Sequence, residues 1–240
     1  MSLTLKTEAI VLRSIRYGEA DRILHLYTRD HGRLAAIAKG ARRASSKFGA
    51  RLEPLSQVNL LLRQGRGDLY TVTGAETVDH RPRLRDSAAA LDGAARACDA
   101  VARMFETDEP HPEVFTLLSN ELTLLATKPA AGTANTLAFR LKLLLAAGLV
   151  PQLGSCATCG EREHLTGFSA AAGGVVCSSC ESASFLLDEE AYGFLVAALG
   201  RPLAETPDAS PRALAAAERA ISETAAYHAQ VRLRPLPRAA

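Results

Sequence analysis

The sequence is most informative first in what it lacks. No apolar run approaches the roughly 18–20 residues that a membrane-spanning helix needs. Residues Met1 to Thr7 carry one lysine and no apolar segment of the kind that opens a secretory leader, so a cytoplasmic protein is expected. Five cysteines in a chain kept reduced argue against a disulfide framework. The marks of common enzymes are missing too: there is no G-x-S-x-G, no P-loop, no H-E-x-x-H and no strand–GxGxxG–helix. Gln64-Gly65-Arg66-Gly67-Asp68 reads as a turn, because no helix start follows it to cradle a phosphate. Glu189-Glu190 suits a helix start rather than an acid–base pair. A non-enzymatic role is the expectation.

What is present divides unevenly. Net charge is only +2, yet residues 1–80 hold 13 Lys/Arg against 8 Asp/Glu, and residues 81–240 hold 15 against 18. The first third is basic and the remainder mildly acidic, a segregation that suits a polyanionic partner at the N-terminal end. From His31 to Leu52 there is no acidic residue, while Arg33, Lys39, Arg42, Arg43, Lys47 and Arg51 are all cationic. The small residues of Ala38-Lys39-Gly40-Ala41-Arg42-Arg43 and Ser45-Ser46-Lys47-Phe48-Gly49 let a backbone approach a phosphate chain. Tyr17, Tyr27, Phe48 and Tyr70 are the aromatics available to stack on unpaired bases. A loop of solvated arginines, with those aromatics packed inside the domain, is the competing reading. In a barrel context the cluster favours nucleic acid.

Strand patterns occur at Lys6–Ile15, Asp21–Thr28, Arg33–Lys39, Gln57–Arg63 and Asp68–Val78, with turn signals between them. In the last, Leu69, Thr71 and Thr73 take one face, and Tyr70, Val72 and Gly74 the other. Five short strands fit a small closed barrel. An OB-fold and an SH3-like barrel give nearly the same periodicity, so the pattern leaves both open. Beyond Arg81-Pro82-Arg83 the texture becomes helical, at Asp86–Phe105, Pro112–Thr127, Thr133–Ala147, Asp188–Leu199 and Pro211–His228. The expected division is therefore 1–80 and 81–240. The tail Arg232–Ala240, with three arginines and two prolines, reads as disordered.

Between the third and fourth helices, Cys156-x2-Cys159 and Cys177-x2-Cys180 stand 17 residues apart. A separation of roughly 15–20 residues between two C-x2-C pairs is that of a four-thiolate zinc site, closed and structural. A redox pair or an iron–sulfur cluster fits less well, since neither a βα junction nor clustered cysteine spacing is present. His164 reads as a loop histidine and Cys98 as a small core residue. A zinc deaminase would need a proline directly before a cysteine pair and a matching His-x-Glu, and the chain has neither arrangement.

Several stretches then resemble one family. Lys-Thr-Glu-Ala-Ile-Val-Leu-Arg-Ser at 6–14, Tyr17-Gly18-Glu19-Ala20-Asp21-Arg22, Leu26-Tyr27-Thr28, Gly32-Arg33, Ala38 to Arg43 and Leu52-Glu53-Pro54-Leu55 are similar to the opening of the bacterial DNA repair protein RecO family. Phe139-Arg140-Leu141-Lys142-Leu143-Leu144, Gly148 and the two cysteine pairs resemble its middle. The resemblance implies an α+β protein: an N-terminal OB-fold β-barrel, then an α-helical domain with a four-cysteine zinc finger inserted at about residues 153–185. It also implies a recombination mediator, cytoplasmic and nucleoid-associated. Such a protein binds single- and double-stranded DNA, anneals complementary strands, and engages RecR, single-stranded-DNA-binding protein and, indirectly, RecA. On this reading Lys39, Arg42, Arg43, Lys47 and Arg51 meet DNA with help from Arg13, Arg16, Arg22 and Arg66. Cys156, Cys159, Cys177 and Cys180 hold Zn2+, and Arg140 and Lys142 sit near the docking site of a partner's acidic tail. A zinc-ribbon scaffold, or an RNA-binding protein without annealing activity, is the alternative.

Overall fold

Alternating apolar residues in the first 80 positions produce five strands. They are β1 (Thr4–Tyr17), β2 (Asp21–Thr28), β3 (Arg33–Ala38), β4 (Gln57–Gln64) and β5 (Leu69–Asp79). The computed structural model describes residues 4–65, 67, 69–128, 132–180 and 182–237. The strands close into a barrel in the order β1-β2-β3-β5-β4, with β4 returning to β1. Every pairing is antiparallel except β3 with β5, where Ala35, Ala36 and Ile37 lie parallel to Leu69, Tyr70 and Thr71. That parallel closure gives the OB-like arrangement, and it is the point that strand periodicity left undecided.

Period-two alternation sends Leu24 and Leu26 of β2, Leu34, Ala36 and Ala38 of β3, and Val58, Leu60 and Leu62 of β4 into one core. β1 is long enough to serve two neighbours. A bulge between Val11 and Arg13 turns it from pairing with β4 toward pairing with β2. The connection from β3 to β4 carries one short 3-10 turn, Gly49–Leu52. Its Phe48 and Leu52 side chains join the barrel core, closing the end of the barrel where the loop would otherwise leave a gap.

α1 (Ala88–Met104) and α2 (Pro112–Thr127) complete the first of two compact units, Met1–Pro129. Ser87 caps α1 by accepting from the Ala90 amide. The turn before β3 fits closely under the segment that follows α1: Arg33 donates its amide to the Thr107 carbonyl at 2.9 Å. Gly32, at φ +51°, would bring a Cβ to 2.3 Å of the Glu109 carbonyl oxygen, so only glycine fits there. Arg81 binds the barrel to α2. Buried and left-handed at φ +46°, it donates to the Leu55 carbonyl (3.2 Å), to Gln57 Oε1 and to Ser119 Oγ (2.9 Å). The boundary drawn from sequence at residues 80–81 falls inside the first compact unit, in which α1 and α2 join the barrel.

The second unit is Ala130–Ala240, with α3 (Thr133–Ala146), α4 (Glu189–Gly200) and α5 (Pro211–His228). α3 is buried almost all round, with Leu137, Phe139, Leu141 and Leu144 fully enclosed. Between α3 and α4 stands a small sheet of β6 (Leu165–Ser169), β7 (Gly174–Cys177) and β8 (Phe185–Leu186), in the order β7-β6-β8. The tail departs from expectation. Leu233 and Leu236 are buried, and the Leu236 amide donates to Glu218 Oε1 at 2.7 Å, because two apolar side chains among the arginines give the segment something to pack. Residues 238–240 lie outside the described residues. No helix among the described residues is long and apolar enough to cross a membrane.

Candidate nucleic-acid interface and metal centre

The cationic loop is built by backbone, not by its charges. Asp21 Oδ1 accepts from the Gly40 amide at 2.7 Å, and the Ala20 carbonyl accepts from the Arg42 amide at 2.8 Å. These contacts fasten residues 40–42 to the turn between β1 and β2, which brings the loop beside Arg16 and Tyr17. Lys39, Arg42 and Arg43 are exposed, as are Arg13 and Arg16 on β1. None of the five has an ion-pair partner among the described residues. Arg42 Nη1 reaches only the Gly18 carbonyl, at 3.4 Å.

The remaining cations behave differently. Lys47 Nζ donates to the Thr73 carbonyl at 2.9 Å and lies 5.2 Å from the centre of the Phe48 ring. Arg51 Nη1 donates to the Lys47 carbonyl at 2.6 Å, leaving its other N–H groups outward. Arg22 is already neutralised: its guanidinium pairs with Glu53 at 2.9 Å and donates to Ser14 Oγ. It stands opposite Arg16 in the β1–β2 register, so Glu53 relieves a like-charge pair. Arg66 lies outside the described residues.

Two of the four proposed stacking aromatics are structural. Tyr27 is fully buried with its ring edge on Phe105 (centroids 6.4 Å apart), and Phe48 is 3% exposed in the barrel core. Tyr17, 54% exposed, remains free to meet a base, and Tyr70 is half-buried against the core. His80, Arg83 and Arg85 were not singled out from sequence. They follow β5 in the turn that carries the chain past the loop's far end, where Arg85 Nη2 donates to the Pro54 carbonyl. Their signal was the basic run 81–85, read only as a boundary.

In the second unit, Cys156 and Cys159 sit on a tight turn closed by the Gly160 amide donating to the Cys156 carbonyl (2.9 Å). Cys177 ends β7, and Cys180 follows one turn later with its amide on the Cys177 carbonyl (3.1 Å). The four sulfurs lie within 4.8 Å of one another, and Cys159 and Cys177 Sγ are 3.6 Å apart. A disulfide requires about 2.05 Å. A tetrahedral ion with metal–sulfur bonds of about 2.3 Å sets sulfurs about 3.8 Å apart, so the cluster has the span of a four-thiolate metal site.

The protonation pattern agrees with this fit. Burial pushes the Cys156 thiol up, but amide N–H groups of Cys177, Cys159 and Thr158 outweigh it and bring it down to about 6. The Cys159 and Cys177 side chains, with burial, push Cys180 up to about 12. Four sulfurs this close cannot all carry charge without a cation between them. His164 is exposed and outside the cluster. Cys98, buried on α1, is pushed up to about 12 by burial and takes no part.

Arg140 and Lys142, expected near a partner's docking site, are turned inward. Arg140 is 1% exposed; its Nη2 donates to the Arg234 carbonyl, and Glu218 Oε1 lies 3.8 Å from Nη1. Lys142 Nζ donates to the Leu199 carbonyl at 3.0 Å, and burial lowers its pKa. Both hold the helical unit together, Arg140 by fastening the tail and Lys142 by closing the end of α4.

The family model for the N-terminal part of recombination protein O matches residues 1–81, and that for its C-terminal part matches residues 85–237. The chain belongs to the RecO family. Proteins named DNA repair protein RecO include one from Rubrobacter xylanophilus, 40% identical over 222 residues that cover 90% of this chain and 88% of that one. Another, from Myxococcus xanthus, is 37% identical over 72% of this chain and 71% of its own, and one from Bifidobacterium longum is 38% identical over 72% and 73%. RecO family membership supports a role in DNA repair and recombination, and the junction between its two family models falls at the Arg81 joint.

Proposed function

We propose that this protein is a recombination mediator that works by binding, without bond-making chemistry of its own. It binds single- and double-stranded DNA on the barrel, anneals complementary strands and, with RecR, helps load RecA onto DNA coated with single-strand-binding protein. The observation that carries the reading is the set of cations Lys39, Arg42 and Arg43, exposed, without ion-pair partners among the described residues and fixed by backbone contacts to the turn between β1 and β2. Such a surface neutralises phosphates and releases counterions without reading base sequence. Two strands held on it repel each other less, which favours pairing. Lys47 and Arg51 extend the surface along the loop, and Arg22 contributes less because Glu53 already holds it.

The cysteine cluster is proposed to hold Zn2+ through Cys156, Cys159, Cys177 and Cys180. When bound there, the ion supplies charge compensation and cross-linking rather than an open coordination site. The ribbon's own residues do the rest: the amides at Cys156 hold that sulfur as thiolate, and Gly174 passes against Gln152 to tie the ribbon to the segment after α3.

The test is annealing of complementary oligonucleotides coated with the cognate single-strand-binding protein. Acceleration by the wild type that is lost in Arg42→Ala/Arg43→Ala supports the mediator reading. Correctly folded, zinc-loaded protein that gives no acceleration overturns it in favour of a scaffold or RNA-binding role.

A further inference from the structure

Beyond the loop, the far end of the barrel carries a groove of about 410 Å³ lined by Ser46, Phe48, Ala50, Arg51, Thr77 and His80. Its size falls in the range of about 300–1,000 Å³ that small organic ligands occupy. We propose that this groove receives one unpaired nucleotide of a bound single strand, with the phosphate on Arg51 and His80 and the base against Ala50 and Thr77. The proposal rests on the reading of the barrel loop as a DNA-binding surface, and it adds a site that distinguishes single strands from duplex.

Three features support it. No carboxylate lines the groove; of the two adjacent along the chain to its lining residues, Asp79 is occupied by the Arg81 side chain (3.5 Å) and backbone amide, and Glu76 precedes Thr77 in β5, where successive side chains take opposite faces. Arg51 is held in place through the Lys47 carbonyl, so it presents its remaining donors without first losing much freedom. His80 Nδ1 lies 3.1 Å from the buried Ser56 hydroxyl. With that hydroxyl donating to Nδ1, the ring proton sits on Nε2 and serves as a second donor to an anion. The Ser46 and Thr77 hydroxyls add partners for sugar or base. Arg85, anchored on the Pro54 carbonyl, and Lys47 put further positive charge near the two ends of the segment that carries Arg51. A base in a duplex is stacked and paired, and it cannot enter such a groove without leaving its partner.

The experiment measures binding of full-length protein to a fluorescent oligothymidylate and to a duplex of equal length, by anisotropy at fixed salt. The variants are His80→Ala, Thr77→Glu and, as reference, Arg42→Ala/Arg43→Ala. Thr77 is exposed, so Thr77→Glu places a carboxylate at the groove without removing a core contact. Both groove variants are expected to weaken single-strand binding by about tenfold and duplex binding by about twofold or less. The reference variant should weaken both. Groove variants that bind both DNAs as the wild type does, while the reference is weakened, overturn the groove and leave the loop standing. Equal losses on both DNAs also overturn it, since they mean general charge. A wild type that binds neither DNA overturns the loop reading and the groove with it. Crosslinking of an iodouracil-containing strand to His80 would support it further.

Discussion

The loop that carries Lys39 to Arg51 and the ribbon that carries Cys156 to Cys180 are both short segments that gather groups of one kind. They differ in how those groups are left incomplete. The loop's cations are exposed, spaced along the chain and anchored through backbone, so a polyanion can complete them from solution and leave again. The ribbon's sulfurs are crowded within 4.8 Å, and only a small cation fits between them. The first arrangement suits a reversible, salt-sensitive contact; the second suits a resident ion held as part of the fold.

The largest expected effect comes from breaking the ribbon. If the site holds zinc as proposed, its chelation, or Cys156→Ser, should unfold the ribbon locally and lower the melting temperature of the helical unit, since structural zinc sites contribute about 10 kcal/mol or more to folding. Calorimetry with metal analysis checks this. An unaltered melting temperature in protein first loaded with zinc would show that the ribbon holds without it. The same site has a pH signature. Cys156 takes its proton near pH 6 in the folded chain against an ordinary 9.0, so metal affinity should fall as pH drops and fall more steeply below about 6, as read by competition with a chromophoric chelator.

Next in size is Arg140→Ala. Truncating a buried, paired cation costs about 3–5 kcal/mol, here by leaving Glu218 and the Arg234 carbonyl without it, so denaturant unfolding of the helical unit should shift accordingly. The loop should answer to salt instead. Replacing Arg42 and Arg43 with alanine is expected to flatten the slope of log duplex affinity against log salt by about 1.8 with little change in stability. Duplex binding titrated across salt concentrations gives the slope. An unchanged slope would move the phosphate contacts elsewhere. Smallest is Arg22→Ala: its Glu53 pair is partly exposed and worth about 1 kcal/mol or less, and DNA affinity should change less than for either exposed arginine alone.

Much of this was legible in the sequence because it depends on short-range pattern. The five strands and five helices follow two hydrophobic periods. The cysteine spacing alone brings four sulfurs together. What escaped depends on contacts distant along the chain. The OB-like closure turns on β3 meeting β5 in parallel, which no local signal specifies. Arg22 looks like any other loop-side arginine until Glu53, far along the chain, is folded against it. Tyr27 and Phe48 carry the same aromatic rings whether buried or exposed, and only the α1 end and the barrel core decide. Arg140 misled for another reason. The resemblance sets it near a partner's docking site, yet a tail 94 residues away supplies the carbonyl that allows its burial.

The strand β1 has a consequence for synthesis. Its first half pairs with β4 and its second half with β2, while β3, already paired with β2, finds its second neighbour only in β5. The barrel therefore cannot close until the chain through Asp79 has left the ribosome, and the earliest hairpin, β1–β2, waits with one edge open. Until then Arg42 and Gly40 can already reach the hairpin's turn, but Phe48 and Leu52 have no interior to enter. A nascent chain would carry the charges of the loop before it has their spacing.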